Sequence, residues 1–439
     1  MKLAILGGEP TRTKVFMSRP HIDDKEKEYL NDCLENKMFS RFIGSPVGDF
    51  RKYLSMTSEE AEKLNDFWSV LGGPYTRNFE AEFAKKHDVK YAVSSNSATS
   101  SIISALIASN IKDGDEVITS SFSFTATATA IKIAGAKVVF ADIDENTFCI
   151  TAETINKRIS EKTKAVVVVN LLGNAGDILE IKKLCDEKGI ILIEDSAQAL
   201  HSKKDGKYLG TFGDIGIFSF QETKNIMTGE GGMAITNDEK LAYKLRLIRN
   251  HGESMVYEGV DEQDVIESAV GYNFRLQEPL SAIGYAQSQK IEMLNNIRKE
   301  NYKYLKNELR DFQFLSFVKV TNDENEFAPY CLGLNFYHDS IHRNSFAQAL
   351  RAEGIPVSTG FSRLLNENPL TFEDISFTPI AKKVNEESYL GFFQLGYPNT
   401  IEDMKDIVYA IKKIEKNFNS LEERNSEIME KREYNSGRM

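Results

Sequence analysis

Short apolar runs alternate with amphipathic segments between residues 112 and 236, and this alternation predicts a mostly parallel α/β sheet. The run at 165–169 is apolar at every position, which is typical of a strand covered by helices on both faces. Segments such as 98–109 and 178–188 carry apolar residues at helical spacing. The candidate strands are residues 116–119, 137–141, 165–171, 190–193, 215–220 and 233–236. We therefore predict an α/β fold of three layers, in which helices cover both faces of the sheet.

A different pattern begins near residue 280. A long, charged, amphipathic stretch runs to residue 309, and a strand-like segment at 331–336 and a helix-like segment at 345–352 follow it. This order predicts a smaller α+β domain, so we place a large domain at 1–290 and a small domain at 291–420. The remaining stretch, 421–439, is mostly charged and lacks an apolar stripe, which predicts a frayed helix or a disordered tail.

Length, charge and cysteine content exclude several classes of protein. The 439 residues exceed the roughly 250–300 that one core usually holds, which agrees with two domains. A net charge of −11, without a run of Lys and Arg, argues against a nucleic-acid partner. The four cysteines form no C-x-x-C pair, so we expect neither disulfides nor a metal site. No segment reaches the roughly 18 apolar residues of a membrane helix, and we expect a cytoplasmic protein without a membrane partner.

Two segments that follow predicted strands place reactive side chains at the edge of the sheet. Glu194 and Asp195 directly follow the predicted strand at 190–193. Ligands of open α/β sheets bind beyond the carboxyl ends of strands, so these carboxylates are well placed to contact one. The alternative is that Asp195 caps the next helix. Lys224 follows the strand at 215–220, where partial burial would lower the pKa of its amine and favour a nucleophile or base. The alternative for Lys224 is a solvated loop charge.

A third segment is the hydroxyl-rich turn at 94–101, which leads into an apolar helix. Free N–H groups at a helix N-terminus, with small hydroxyl side chains beside them, make a phosphate cradle. The alternative is simple N-capping. Together, a phosphate cradle, a strand-end carboxylate and a lysine after a strand match the phosphate, pyridine nitrogen and aldehyde of pyridoxal 5'-phosphate.

Several motifs in these segments are similar to those of a known family. They are Ser219-Phe220-Gln221-x-x-Lys224 with Gly229-Glu230-Gly231-Gly232 after it, Glu194-Asp195-x-Ala197-Gln198, and Gly271-Tyr272-Asn273-x-Arg275. With them the chain resembles, from about residue 6 to 414, the DegT/DnrJ/StrS aminotransferases. These are fold type I pyridoxal phosphate enzymes that aminate keto sugars and related polyols. The resemblance implies that fold, that cofactor and that activity.

The resemblance also implies roles for individual residues. Lys224 would form the Schiff base and shuttle the proton, and Asp195 would pair with the pyridinium nitrogen. Gln198 would contact the ring hydroxyl, and Phe124 would stack on the ring. The phosphate would be held by Thr99, Ser100 and Ser219 of this chain and by Asn273 of a neighbouring subunit. The last contact implies a homodimer with shared active sites.

Some positions depart from the family pattern and leave the substrate open. Asn170 stands where many members have histidine, Leu172 where tyrosine is common, and Leu200 where histidine is frequent. We treat Asn170, Arg249 and His251 as candidate substrate contacts; the alternative for Arg249 is a surface cation at a helix end. A stretch of extra residues, about 39–71, could form a helical lid or lengthen a dimer contact.

The function that these motifs imply is transfer of an amino group from L-glutamate or L-glutamine to a keto sugar in amino-sugar biosynthesis. A nucleotide-linked keto sugar is the first expectation, and a free keto sugar or a cyclitol is the second. The alternatives are a pyridoxal phosphate-dependent sugar dehydratase or epimerase and a cofactor-binding regulator. Some dehydratases of the family replace the lysine by histidine, whereas Lys224 is intact here, and no DNA-binding segment is visible.

Overall fold

A seven-stranded sheet forms the centre of the large domain. The computed structural model describes residues 1–17, 19–42, 50–65, 69–252 and 270–423. The strands of the large domain are β1 (Tyr91–Ser95), β2 (Glu116–Ser120), β3 (Lys137–Ala141), β4 (Thr163–Val169), β5 (Ile191–Asp195), β6 (Lys203–Lys204), β7 (Lys207–Tyr208), β8 (Ile215–Ser219) and β9 (Gly232–Thr236). The order in the sheet is β1-β9-β8-β5-β4-β2-β3, and β6 and β7 form a separate short hairpin. Only β9 runs antiparallel to its neighbours β1 and β8 in this sheet.

Helices cover both faces of the sheet, as the continuous apolar run of β4 predicts. The described helices up to the small domain are α1 (Asp24–Glu35), α2 (Phe50–Ser55), α3 (Ser58–Glu62), α4 (Pro74–Lys86), α5 (Ala98–Ala108), α6 (Thr125–Ile133), α7 (Ala152–Asn156), α8 (Ile178–Lys188), α9 (Glu239–Arg249), α10 (Glu278–Ser288) and α11 (Ile291–Leu309). Ala165 and Val167 pack with α5, α6 and α9 on one face, whereas Val166 and Val168 pack with α8 on the other. The predicted α/β class with three layers is confirmed.

The strand ends differ from the prediction in two informative places. β4 ends at Val169, two residues earlier than predicted, because a 3₁₀ turn at Leu171–Gly173 follows it and Leu172 has a φ of 61°. β5 continues to Asp195, so this carboxylate belongs to the strand itself. β1 was not predicted as a strand. It is the edge strand beside β9, and its five residues are all buried.

The small domain is built on a three-stranded antiparallel sheet. Its elements are β10 (Leu315–Phe317), β11 (Leu332–Phe336), α12 (Arg343–Ala352), α13 (Pro379–Lys383), β12 (Tyr389–Phe392), α14 (Ile401–Glu415) and α15 (Phe418–Glu422). The predicted strand at 331–336 and helix at 345–352 correspond to β11 and α12. The domain limits at 290 and 420 stay predictions, and residues 424–439 of the predicted tail lie outside the described residues.

The N-terminal arm packs on the small domain. Leu3 and Phe16 are buried in the same apolar cluster as β11, α12 and α14. The buried Glu353 accepts hydrogen bonds from the N–H groups of Ala4 and Thr11, both at 2.8 Å. Arg12 binds carboxylates of α14, including Asp403 at 2.8 Å. The arm therefore continues the small-domain core although the prediction grouped it with the large domain.

The extra stretch at 39–71 contains the two short helices α2 and α3. Leu54, Ala61 and Leu71 pack against Leu247 of α9, and the buried Arg246 donates hydrogen bonds from Nη1 to the carbonyls of Leu54 and Met56. Residues 43–49 and 66–68, among them Phe67 and Trp68, lie outside the described residues. The described part is therefore fixed to α9.

Among the residues that the structure describes, none of the helices has the length and apolar character needed to span a membrane. The cytoplasmic location stays a prediction.

Candidate active site

Three neighbouring parallel strands end at the same edge of the sheet and bring their terminal residues together. Val169 of β4 lies opposite Asp195 of β5, and Asp195 lies opposite Ile217 of β8. Asn170 and Ser219, which end or follow the outer two strands, therefore flank Asp195. The carboxyl edge of the sheet thus gathers three of the predicted site residues, as the topology of open α/β sheets requires.

Asp195 is buried and held in one orientation. Its Oδ2 accepts a hydrogen bond from Thr127 Oγ1 at 2.9 Å, and its Oδ1 accepts one from the Ala197 N–H at 3.2 Å. Burial raises the pKa of this carboxyl, and the bonds from Thr127 and Ala197 and the charge of Lys224 act against that rise. A buried carboxylate in this state gains from a cationic group placed beside it.

Lys224 lies in the loop after β8, on the same side of the sheet as Asp195. Its N–H bonds to the Gln221 carbonyl at 2.8 Å, and its Nζ lies 4.6 Å from the centre of the Tyr330 ring. The Tyr330 hydroxyl is 3.2 Å from Thr223 Oγ1. Tyr330 precedes β11 and comes from the small domain, and sequence analysis did not single it out. No local motif marks it, because its place depends on the docking of the two domains.

The predicted phosphate cradle is the N-terminus of α5. Ser97 caps the helix by accepting a hydrogen bond from the Ser100 N–H at 3.1 Å, and the first N–H groups, including that of Thr99, have no partner within the helix. Ser219 pairs with Gly232 in the sheet, and Gly232 pairs with Ser95, so both hydroxyl-bearing segments meet there. A Cβ on Gly232 would lie 2.4 Å from the Ser97 carbonyl carbon, so only glycine allows this approach.

Phe124 is an exposed aromatic side chain above this edge. It is the N-cap residue of α6 and is 46% exposed, whereas the nearby Phe122 is buried. Thr127, one turn later on the same helix, donates the hydrogen bond to Asp195. The first turn of α6 therefore lies next to the end of β5, and the Phe124 ring is partly exposed there.

Gln198 and Asn170 are both engaged within the protein. Gln198 Oε1 accepts a hydrogen bond from the Leu172 N–H at 3.0 Å, and its Nε2 makes no hydrogen bond with the described residues. The buried Asn170 donates from Nδ2 to Glu194 Oε2 at 3.1 Å and to Ser196 Oγ at 2.8 Å. Asn170 thus supports the buried Glu194 network, while the amide nitrogen of Gln198 remains available to a ligand.

Glu194, the first carboxylate of the strand-end pair, has a structural environment different from that of Asp195. It is fully buried and accepts hydrogen bonds from the N–H groups of Gly210, Phe212 and Gly213. Burial raises its pKa, and these backbone donors act against the rise. Glu194 therefore fixes the loop at residues 210–213 before β8. Asp195 instead contacts Thr127 of α6.

Arg249 and His251 do not lie together. Arg249 is 1% exposed and is paired with Glu80, and its Nη1 also donates to the Ser94 carbonyl at 3.1 Å. This pairing assigns Arg249 an internal role and not the surface position that the alternative reading expected. His251 is exposed, and its Nε2 lies 2.6 Å from Arg275 Nη2.

Asn273, the predicted contact to a neighbouring subunit, lies on the surface beside His251. Its Oδ1 accepts a hydrogen bond from Arg275 Nε at 2.9 Å, and its backbone forms a bridge with Asn250. His251, Asn273 and Arg275 therefore place an imidazole, an amide and a guanidinium side by side at the surface of this chain.

The residues at the edge of the sheet fit pyridoxal phosphate. The donor set supplies what each part of that molecule needs: a buried carboxylate, an amine, an exposed aromatic ring and a helix N-terminus with free N–H groups. Gly232 keeps the N-terminus of α5 accessible, because any larger residue would fill the space beside Ser97. An arrangement of this kind can bind the cofactor and move a proton between a substrate carbon and the lysine amine.

Comparisons with known proteins agree with this reading. The model of the DegT/DnrJ/EryC1/StrS aminotransferase family matches residues 55–411. An uncharacterized protein of Methanocaldococcus jannaschii is 35% identical, over 81% of this chain and 94% of the relative. The GDP-perosamine synthase of Escherichia coli O157:H7 is 35% identical over 64% of this chain and 68% of that protein. The solved structure of the aminotransferase from Psychrobacter cryohalolentis superposes with a TM-score of 0.76 at 26% identity, covering 92% of this chain and 100% of that one.

Proposed function

The chain belongs to the DegT/DnrJ/EryC1/StrS aminotransferase family, and we propose that it aminates a nucleotide-linked keto sugar with an amino acid as the donor. Membership confirms the resemblance inferred from the motifs, and it makes the chain a pyridoxal phosphate-dependent aminotransferase of amino-sugar biosynthesis. The observation that carries the site assignment is the convergence of Asp195, Lys224 and the N-terminus of α5 at one edge of the sheet.

Each of these residues has a distinct task in the proposed reaction. When bound, pyridoxal phosphate supplies an aldehyde that takes the amino group and a ring that accepts electrons from the substrate carbon. Lys224 Nζ takes the proton from the donor α-carbon and later delivers a proton to the acceptor carbon. The buried Asp195 carboxylate would stabilise the protonated pyridine nitrogen of the cofactor, because an opposite charge nearby favours the protonated form. The N–H groups of α5 and the hydroxyls of Thr99, Ser100 and Ser219 bind the phosphate.

The nucleotide-linked acceptor is supported by the GDP-perosamine synthase among the relatives, whose name is that of an enzyme making a nucleotide-linked amino sugar. Free keto sugars and cyclitols remain the second class in the proposal. L-glutamate or L-glutamine is the proposed donor. Because Lys224 is present, amino transfer is favoured over sugar dehydration, and mass spectrometry of the product distinguishes the two by the added amino group.

We test the proposal first with the purified protein and Lys224→Ala. The wild type should show the visible absorbance of a lysine-bound cofactor and should aminate a keto sugar, and the variant should lose both, with turnover reduced about 10³-fold or more. Lys382→Ala, on the small domain, is the matched control. Turnover retained in Lys224→Ala would contradict the assignment. A panel of nucleotide-linked keto sugars, free keto sugars and cyclitol ketones then identifies the acceptor.

We also propose a homodimer in which Asn273 of one subunit contacts the phosphate bound by the other. The exposure of Asn273 and its place beside Arg275 support this arrangement. Mixing an inactive Lys224→Ala chain with an inactive Asn273→Ala chain should restore up to about a quarter to a half of the activity, because mixed dimers hold one intact site. No recovery in dimers shown by light scattering to have exchanged would contradict a shared site.

A further inference from the structure

A small cavity lies beside Lys224, on a side of the lysine loop that none of the predicted cofactor contacts other than Lys224 borders. The arm lines it at residues 19–21, and the lysine loop lines it at residues 222–227. The remaining lining residues are Gln287 of α10, Leu294 and Arg298 of α11, and Tyr397. The volume of the cavity is about 40 Å³. Thr99, Asp195 and Ser219 do not border it, so it is separate from the predicted phosphate and ring contacts.

Arg298 is a buried cation with one hydrogen-bond acceptor. It is 8% exposed, and its Nη1 donates to the Tyr330 carbonyl at 3.0 Å. Its Nε and Nη2 have no acceptor among the described residues, and it forms no ion pair there. Burial lowers its pKa, and no carboxylate acts against that effect. A guanidinium taken out of water in this way is destabilised unless an anion or several acceptors bind it.

Other buried arginines of the chain bind at least two acceptors, although Nε and Nη2 of Arg246 and Arg249 have no partner in the described part of the chain either. Arg12 binds two carboxylates of α14, and Arg249 binds Glu80. Arg343 donates to four backbone carbonyls. Arg298 differs from them in having one acceptor and in bordering a cavity, so we expect a further acceptor inside that cavity.

The charges and size of the cavity favour a carboxylate. Arg19 and Lys224 add positive charge, and Glu222 is the one carboxylate of the described lining. Lys290, near His21, is already paired with Asp23 and Glu26. One water needs roughly 10–15 Å³ measured in the same way, so the cavity has room for a carboxylate.

We infer that this cavity binds a carboxylate of the amino donor, with Arg298 as its two-pronged partner and Arg19 at its entrance. The inference rests on the proposed function, in which the donor is an amino acid. The planar fork of an arginine matches a carboxylate through two parallel N–H bonds. The Arg298 Nη1 holds the Tyr330 carbonyl while the Tyr330 ring contacts Lys224 Nζ, so one residue connects the anion site to the reacting amine.

Gly396 determines how the Arg298 guanidinium is placed. A Cβ at this position would lie 2.8 Å from Arg298 Nη2 and 3.2 Å from Nε. The glycine therefore lets the backbone of the small domain lie against the two nitrogens that have no acceptor. Gly396→Ala should displace that edge of the guanidinium while leaving its charge in place.

The test measures binding of glutarate, a dicarboxylate without an amino group, by calorimetry, together with the KM of the donor and of the acceptor. Arg298→Gln should raise the glutarate Kd and the donor KM about 10- to 100-fold, and Arg19→Gln should raise them about 3- to 10-fold. Arg298→Lys should recover part of the loss, because it keeps the charge and lacks the fork. Acceptor KM should change less than about twofold.

Arg310→Gln, an exposed position directly after α11, is the matched control. Unchanged glutarate Kd and donor KM in Arg298→Gln and Arg19→Gln would overturn the inference, and so would a rise confined to the acceptor KM, which would place the acceptor there. If Arg298→Gln does not fold, Arg19→Gln and Gly396→Ala decide, with unchanged binding in both again overturning it. Glutarate binding does not require turnover, so a failure of the proposed function, seen as no amination by the wild type, is recognised separately.

Discussion

The two sides of the cleft are assembled in different ways. On the large-domain side, Asp195, Ser219 and the start of α5 are held by strands of one sheet, so the strand order brings them together although they lie up to about 120 residues apart in the chain. On the small-domain side, Tyr330, Arg298 and Arg19 come from three segments far apart in the chain. The first side is built into one sheet, whereas the second exists only when the arm, α11 and the small domain have docked. Substitutions on the two sides should therefore have different kinds of effect.

The largest effect is expected on the sheet side, at Asp195. Asp195→Asn keeps the shape and can keep the Thr127 contact, but it removes the negative charge that favours a cation beside it. We expect kcat/KM to fall about 10²- to 10³-fold while the unfolding midpoint changes little. Steady-state kinetics and thermal unfolding measure both, with the exposed Asp186→Asn as control. A loss of less than about threefold would mean that Asp195 does not face the cofactor.

Arg249 tests how firmly the sheet side is preformed. Arg249→Met leaves Glu80 buried without its cation, and this should lower the free energy of unfolding by about 3–5 kcal/mol. The donor KM should stay unchanged, since Arg249 is enclosed beneath Ser94. The double variant Glu80→Leu with Arg249→Met should recover part of the stability. A stable Arg249→Met with a raised donor KM would return Arg249 to the substrate contacts.

A smaller effect is expected on the docked side, at Tyr330. Tyr330→Leu removes the ring that contacts Lys224 Nζ, and we expect kcat to fall about 3- to 10-fold, since a cation near an aromatic face gains roughly 0.5–2 kcal/mol. Tyr330→Phe keeps the ring and loses only the contact to Thr223, so its kcat should stay within about twofold of the wild type. Equal losses in the two variants would assign the effect to the hydroxyl.

The smallest effect concerns the attachment of the arm and depends on pH. Burial acts to raise the pKa of Asp403, but the Thr400 N–H and the Arg12 guanidinium hold it at about 2. A lowered pKa in the folded state gives stability that is present above the ordinary pKa of about 4 and is lost as the pH falls toward 2. Arg12→Gln should therefore cost about 1 kcal/mol at pH 7 and move acid unfolding to a higher pH. Lys416→Gln, at the exposed end of α14, is the control, and an identical acid transition in Arg12→Gln would contradict the attachment.

The same difference between the two sides explains what could be predicted from the sequence. The apolar run of β4 and the residues after β5 and β8 are local signals, so the α/β class and the position of Asp195 beside Lys224 followed from spacing and topology. The cradle, the carboxylate and the lysine together indicated the cofactor, and the resemblance supplied the family. The roles of Thr99, Ser100, Phe124, Gln198 and Ser219 stay predictions that the geometry supports.

What sequence reasoning missed depends on tertiary contacts. Asn170 was a candidate substrate contact because many family members have histidine there, yet it lies within the Glu194 network. Arg249 was a candidate substrate contact, with a surface cation at a helix end as the alternative, yet it is buried against Glu80, which is distant in the chain. Tyr330 and Arg298 carry no motif, and only the packing of α11 against the small domain brings them to Lys224. A charge with no partner in the folded chain is visible only after every neighbour is known.

The attachment of the arm has a mechanical consequence. Leu3 and Phe16 are fixed in the core that also holds the end of α11, so the segment that leads to Arg19 is tethered to the same body as the helix that carries Arg298. The other end of that helix, at Ile291 and Leu294, packs in the apolar cluster of Phe218 and Phe220 in the large domain. Arg298 therefore lies on a helix that both cores hold, so a loosened arm weakens the support of Arg19 and of Arg298 together.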